Sequence, residues 1–479
     1  MGNNNNFSHL NYRTMDDEEL EKVHELSLRI LQEIGGVVRH DEALSLLCEA
    51  GAKIDGQKVF IPEALVNKAL ESVPREYTVY DRQGSPAMVL KERCVYYGPG
   101  SDTTTYVDFE TGELRKWMKK DIENGMILCD ALVHVDFVMS LGIISDVDIK
   151  MNTREQYAAM IRNTVKPQVV VCDDAEDLKD VIAMAAAVRG GLGNLRGKPL
   201  FSVYCEPSSP LINSYTALDK LLICAENSIP TNFAAGGMAG GTTPITAEGT
   251  ILLNNAECLL GLVIHQLKNP GAPFLYGFGN APLDMKTMQS VYAAPVAIQI
   301  QGGMCDLSRY YKLPSWGEAG CSSSKICDEQ SALEAAQFIL MAALQGCNVT
   351  HDLGYLNFGL SVSFEHLSVC NEIIGRTKAT LKKLDIDDYF EAYEVIKRVG
   401  HGGNYIGDEH TFANMRASKF GDLSDYRHYD NWKSDGELAM GDRAHLEVQE
   451  IIGNHKPEPL DAETDGQIDV ILKEAKSRQ

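Results

Sequence analysis

The sequence predicts an α/β protein, a (β/α)8 TIM barrel with an N-terminal helical region and a C-terminal helical extension. Three observations predict it. From about residue 91, eight short apolar runs end in Gly, Ser, Asn, Asp or Glu and alternate with longer helical stretches. That alternation means a parallel sheet with helical crossovers, and eight repeats suggest closure into a barrel. The length of 479 residues, with 44% hydrophobic and 23% charged content, suits one large barrel with additions. An open doubly wound sheet is the alternative.

The elements follow in order. "MGNNNNFSHLNYR" is a polar lead without an apolar signal core. Asn6 stands where a myristoylation site needs Ser or Thr, so no lipid is expected. Asp16 is placed to cap a helix that buries Leu20, Val23, Leu26, Ile30 and Ile34 and stops at Gly35-Gly36. A second helix covers 41–50, Asp55-Gly56 turns a hairpin, and Pro62 opens a third helix. These make an N-terminal region over 1–90.

The barrel occupies 91–375. Its strands are read from "CVYYGPGSD", "VDFVMSLGIISD", "PQVVVCDD", "PLFSVYCEPSSP", "PTNFAAGGMAGG", "APFLYGFGNAP", "LPSWGEAGCSSS" and "CNVTHDLGYL". Helices over 177–189, 247–267 and 330–345 lie between them, and "TTTYVDFETGELRKW" reads as an inserted hairpin turning at Thr111-Gly112. Residues 376–479 form a charged helical extension packing on the barrel, with a last helix after Leu460.

Composition excludes several roles. A formal net charge of -23 repels phosphate, which disfavours nucleic acid and anionic membrane as partners and suits a cationic small molecule. No run of roughly 18 apolar residues is present, so no transmembrane helix is expected. Twelve scattered cysteines without Cys-x-x-Cys fit reduced thiols and a cytoplasmic location.

In a barrel of this type the site lies at the C-terminal ends of the strands. Those ends offer Tyr97, Glu206, Phe278, Asn280, Trp316, Glu318 and His351, with Tyr355 and Phe358 in the last loop. Alternation sends about half of such residues into packing instead. No zinc-spaced ligand cluster, His-Glu-x-x-His or Gly-x-Ser-x-Gly is present, so no metal is expected. "GGMAGGTTP" follows a strand, and its amides at Gly236, Gly237, Gly240 and Gly241 could cradle an anion, although a plain flexible loop is the stronger reading. An aromatic mouth without acid–base pairs suits a quaternary ammonium group, because ring faces hold such cations.

Four stretches carry a resemblance to a family: "RILQEIGGVVRHDEALSLLCEAGAKID", "WGEAGCSSSKICDEQSALE", "GYLNFGLSVSFEHLSVCNEII" and "GHGGNYIGDEHTFANMR". The chain resembles the trimethylamine methyltransferase superfamily, in particular members without pyrrolysine that demethylate glycine betaine and related quaternary amines. The resemblance implies a TIM barrel that passes a methyl group to the Co(I) corrinoid of a separate small protein. The sequence has only standard residues, which puts trimethylamine in doubt. It also lacks the Asp-x-His-x-x-Gly run of a tethered corrinoid, so a partner must supply the cobalt.

The expected substrate is glycine betaine, with proline betaine, carnitine and γ-butyrobetaine as rivals. Tyr97, Trp316 and Phe358 are expected around the trimethylammonium group. His351, helped by the glycine loop, is expected to hold the carboxylate, with Asp352 pointing outward. Gly320 and Ser322, Ser323 and Ser324 would leave room for substrate and corrinoid, unless they merely form a turn. The competing readings are a Schiff-base lyase or aldolase using Lys325 and a non-enzymatic betaine-binding protein. A homo-oligomer is compatible with the sequence.

Overall fold

The structure, a computed structural model, describes residues 12–279, 281–415 and 421–478. Seven parallel strands form one curled sheet: Tyr96–Pro99, Gln168–Val171, Phe201–Cys205, Thr231–Ala235, Phe274–Phe278, Ser315–Glu318 and Val349–Leu353. The last pairs with the first, Val349 beside Tyr96. The remaining gap is filled by residues 136–139. Asp136 N donates to the Tyr97 carbonyl at 2.7 Å, and Val138 bridges Gln168. This second strand forms only bridges, because the Asp136 carboxylate takes the Tyr97 amide at 3.0 Å in place of a ladder carbonyl. All eight predicted strands thus occur in the predicted order, counted here as strands one to eight.

Strands covered on both faces read as continuous apolar runs, which is why "QVVV" and "FSVYC" stand out in the sequence. The crossover helices include Ala175–Arg189, Ala247–Lys268, Glu329–Gln345 and Phe364–Leu381. The last of these runs through residue 375. Among the described residues one helix, Ala247–Lys268, is long and apolar enough to cross a membrane, and it lies mostly buried in this fold.

The N-terminal region caps the outside of the barrel. Asp16 and Glu19 close a capping box at the start of the helix Asp17–Arg29. The expected buried stripe fails at its end, because Ile30–Ile34 winds as a π-helix and Ile34 is left 52% exposed. Leu28 is buried in the α-helix before it, and within the wider turn Leu31 is buried in place of Ile34. The hairpin Lys53–Asp55 with Lys58–Phe60 and the helix Glu63–Ser72 occur as read.

A further hairpin, Tyr77–Tyr80 with Pro86–Leu90, was not expected. It plugs the N-terminal end of the barrel. Val79, Met88 and Leu90 join the interior cluster of Tyr96, Phe137, Met139 and Trp316. The inserted hairpin, Thr105–Val107 with Leu114–Arg115, turns at Gly112 with a φ of 73°. It pairs with Ser361–Ser363 and so ties the first loop to the last.

The C-terminal extension packs on the barrel only in part. Met440–Asn454 lies on the helix Phe364–Leu381, and Ala462–Ser477 docks on Ala175–Arg189. Arg162 holds the last helix by ion pairs to Asp465 and Asp469, both at 2.6 Å. Helix Ile386–Val399 instead turns Ile386, Tyr389, Phe390 and Tyr393 to solvent, with only Val395 buried.

Candidate active site at the barrel mouth

A cavity of about 280 Å³ sits over the C-terminal ends of the strands. A cleft of about 430 Å³ beside His134 and Glu372 is larger, but it lies at the opposite end of the barrel, where this fold does not place sites. Strand four delivers Tyr204 and Glu206 to the mouth cavity, strand seven Glu318, and strand eight His351 and Asp352. Asp102 follows strand one, and Tyr292 and Tyr355 come from later loops. Gly236 and Gly279 follow strands five and six. A Cβ at Gly236 would lie 3.7 Å from Glu206 Oε2, and one at Gly279 would lie 3.3 Å from Glu318 Oε1. The absence of side chains there leaves space beside both carboxylates.

The electrostatics are one-sided. Four acidic side chains line the cavity, at Asp102, Glu206, Glu318 and Asp352, and among the described residues the lining contains no lysine or arginine. Tyr204 Oη donates to Glu206 at 2.9 Å, and Tyr355 Oη donates to the Ser101 carbonyl. Burial, followed by the Glu206 charge, holds the Tyr204 phenol well above its ordinary value. His351 Nδ1 donates to the Gly317 carbonyl at 2.8 Å, which leaves Nε2 facing Asp352 Oδ1 at 3.4 Å. Burial lowers His351 to about 4 and raises Asp352 well above the carboxylate range. Burial thus disfavours the charged form of both groups.

Glu206, Glu318, His351 and Tyr355 are where the sequence placed them, and Gly236 lines the cavity too. Tyr97 is not in the mouth. Strand alternation turns it into the helix layer, where its Oη donates to the Ile339 carbonyl at 3.2 Å. Phe278 points into the outer core for the same reason. Trp316 faces inward but one layer lower, fully buried beneath the cavity, its ring 4.4 Å from that of His351. Phe358 already carries Lys325 Nζ at 4.1 Å over its ring and does not line the cavity. Asn280 lies outside the described residues.

Asp352 was expected outward and points inward. A register shift between Thr350 and Leu353 and a φ of 82° at Asp352 break the alternation, so two successive side chains enter the cavity. In the glycine loop the amides of residues 240–243 are already committed to the loop itself. Gly241, Thr242 and Thr243 all donate their amides to the Met238 carbonyl, and Gly240 donates to the Thr243 carbonyl. Gly237 is packed against Thr243 and Asn254. The small residues after strand seven form a packed turn, with Ser322 Oγ and Ser323 N donating to Glu334 at 2.6 and 2.8 Å. Lys325 is exposed and outside the cavity, which removes the Schiff-base reading. Asp102 and Tyr292 were missed. Asp102 ends the quoted first strand and could have been chosen, whereas Tyr292 sits in a loop with no signal.

The barrel mouth thus presents acids and phenol rings over an aromatic floor that includes Trp316, Tyr96 and Phe137. The sequence model of the trimethylamine methyltransferase (MTTB) family matches residues 4–477. The trimethylamine methyltransferase MttB of Desulfitobacterium hafniense DCB-2 is 33% identical, over 93% of this chain and 90% of that protein. The glycine betaine methyltransferase of D. hafniense Y51 is 29% identical, over 96% of each. The crystal structure of the Methanosarcina barkeri monomethylamine methyltransferase (MtmB) shares the fold, with a TM-score of 0.54 at 13% identity, covering 97% of this chain and 88% of that one. The chain belongs to the trimethylamine methyltransferase family, and it is a methyltransferase.

Proposed function

We infer that this enzyme takes a methyl group from a quaternary ammonium substrate bound in the mouth cavity and passes it to the reduced corrinoid of a separate small protein. One observation carries the reading: among the described residues the cavity lining combines four acidic side chains and three tyrosines with no lysine or arginine. A fixed positive charge is stabilised there both by carboxylates and by ring faces.

The chemistry asks little else of the chain. The carbon–nitrogen bond breaks with its electron pair left on nitrogen, so a neutral tertiary amine departs and needs no proton. The corrinoid's cobalt, as second substrate, supplies the electron pair for the new bond to carbon. The protein's part is to hold the methyl group in line and keep water out. Trp316, Tyr96 and Phe137 make an apolar floor below the cavity. A corrin ring is far wider than a space of about 280 Å³. The acceptor must therefore stay outside and present its face to the opening. Trimethylamine fits less well, because its leaving group is expelled as an amide ion unless the nitrogen is first protonated or otherwise activated.

The test is to mix the full chain with reduced cobalamin and a panel of quaternary amines. Loss of the reduced-cobalt absorbance with release of one equivalent of tertiary amine is expected. Failure with every amine, using both free cobalamin and isolated corrinoid proteins, would reject methyl transfer.

A further inference from the structure

The helix Ile386–Val399 is amphipathic with its apolar side outward. Val395 is its one buried residue. Ile386, Tyr389, Phe390, Tyr393 and Ile396 are 57–70% exposed. At about 100° per residue these five fall within one arc of about 120°, on the side opposite Val395. Asp387, Asp388, Glu391 and Glu394 all lie outside that arc. At about 200 Å² for a large side chain, the stripe offers about 600 Å². That is the upper end of what a monomer usually exposes in one patch, and about three quarters of one partner's share of a standard interface. Ile386, Tyr389, Tyr393 and Ile396 follow one another at the a/d spacing of a coiled-coil seam. Such a seam fits another helix with the same repeat, and every copy of this chain carries one.

We propose that this stripe pairs with the same stripe of a second copy, the two helices antiparallel, in a two-fold dimer. Each patch is then both ligand and receptor, and the contact closes on itself. Ile386 meets the partner's Ile396, and Tyr389 meets the partner's Tyr393. Charge selects the direction. Asp385, Asp387 and Asp388 stand at the start of the helix, and Lys397 and Arg398 stand in its last turn. Antiparallel pairing lays each acidic end beside the other copy's basic end and opposes the two helix dipoles, whereas parallel pairing stacks like on like. Arg398 is held by Asp408 at 2.7 Å. Lys397 lies within the exposed arc, and its contact with Glu394 is long at 3.8 Å. Position selects the occupant. The helix Phe364–Leu381 leads from strand eight to the end of the barrel away from the mouth, where Ala379 and Thr380 line the larger cleft, and Ile386–Val399 begins there. A methyl acceptor has to face the opening at the other end, whereas a second copy has no need of it.

Sedimentation velocity of the full chain at micromolar concentration tests this. The mass should be twice that of one chain. Tyr389→Glu with Tyr393→Glu should raise the dissociation constant about a hundredfold or more and leave monomers. Circular-dichroism melting checks that this variant is folded, and Ile386→Asp with Ile396→Asp replaces it if it is not. A larger assembly that the variant splits supports the pairing as well. A chain that is monomeric at every concentration, or an assembly that a folded variant leaves intact, overturns it. Direction is read by cross-linking. A benzophenone amino acid in place of Ile386, in a mixture of isotopically labelled and unlabelled chains, should attach to residues 395–398 of the other copy, and this result decides alone if neither variant folds. Attachment to residues 385–388 of the other copy, or no attachment between copies, overturns the antiparallel pairing. A monomeric chain whose binding to a corrinoid protein is lost in the variant would assign the stripe to that partner and overturn the dimer.

Discussion

Replacing Trp316 by alanine should damage the barrel before it damages recognition. The indole is fully buried, and its ring centroid lies 4.4 Å from His351, 5.8 Å from Tyr204 and 6.2 Å from Phe137. Removing a core tryptophan costs about 3–5 kcal/mol. Native stability is typically about 5–15 kcal/mol, so that loss is a large part of it. Trp316→Phe should be much milder. It keeps an aromatic plate under His351, and it removes an indole N–H that has no partner. An unpaired buried donor costs about 1–3 kcal/mol, which offsets much of the lost packing, and a net change below about 2 kcal/mol is expected. Urea unfolding followed by far-ultraviolet circular dichroism gives the stability, and tetramethylammonium titration gives the affinity. A Trp316→Ala protein that unfolds at the wild-type urea concentration but binds tenfold more weakly would refute the argument. The ring would then be a wall of the cavity, as the sequence suggested.

Two more substitutions probe the mouth. A Cβ at Gly100 would stand 2.3 Å from the Tyr355 ring and 2.5 Å from Asp352 Oδ1, so Gly100→Ala should push both out of place. Substrate affinity should fall about tenfold or more with less than about 2 kcal/mol lost in stability, and equal affinity in the variant would show that neither residue shapes the site. Asp352 and His351 should oppose each other in pH dependence. Asp352, raised by burial, holds a proton that the unfolded chain releases, so its contribution falls as pH rises above the ordinary carboxylate value. His351, lowered to about 4, stays neutral where the unfolded ring is charged, so its contribution grows from pH 4 to its ordinary value of 6.5. Asp352→Asn should uncover that rising arm, up to about 2–3 kcal/mol in unfolding free energy. A flat profile in the variant would show that the pair is not linked in this way.

The sequence alone determined the barrel. Each strand is covered on both faces, so it reads as an apolar run whatever its neighbours are, and eight such runs with helices between them leave little choice of architecture. It also determined which chain positions reach the mouth, because strand ends are marked by the Gly, Pro and Ser that follow them. Glu206, Glu318, His351 and Tyr355 were legible for that reason. What it left open was which way each side chain turns. Tyr96 and Tyr97 are adjacent and chemically alike, yet one fills the barrel and the other the helix layer. A one-residue difference in phase decides that, and phase is fixed by pairing with a distant strand. Asp352 is harder still, since its inward turn comes from a local register shift and a φ of 82° imposed by the strand beside it. The hydrogen bonds that commit His351 and the glycine loop to their own backbone are likewise long-range or loop-specific. Only the tertiary structure could show that four acidic side chains from distant parts of the chain converge on the mouth.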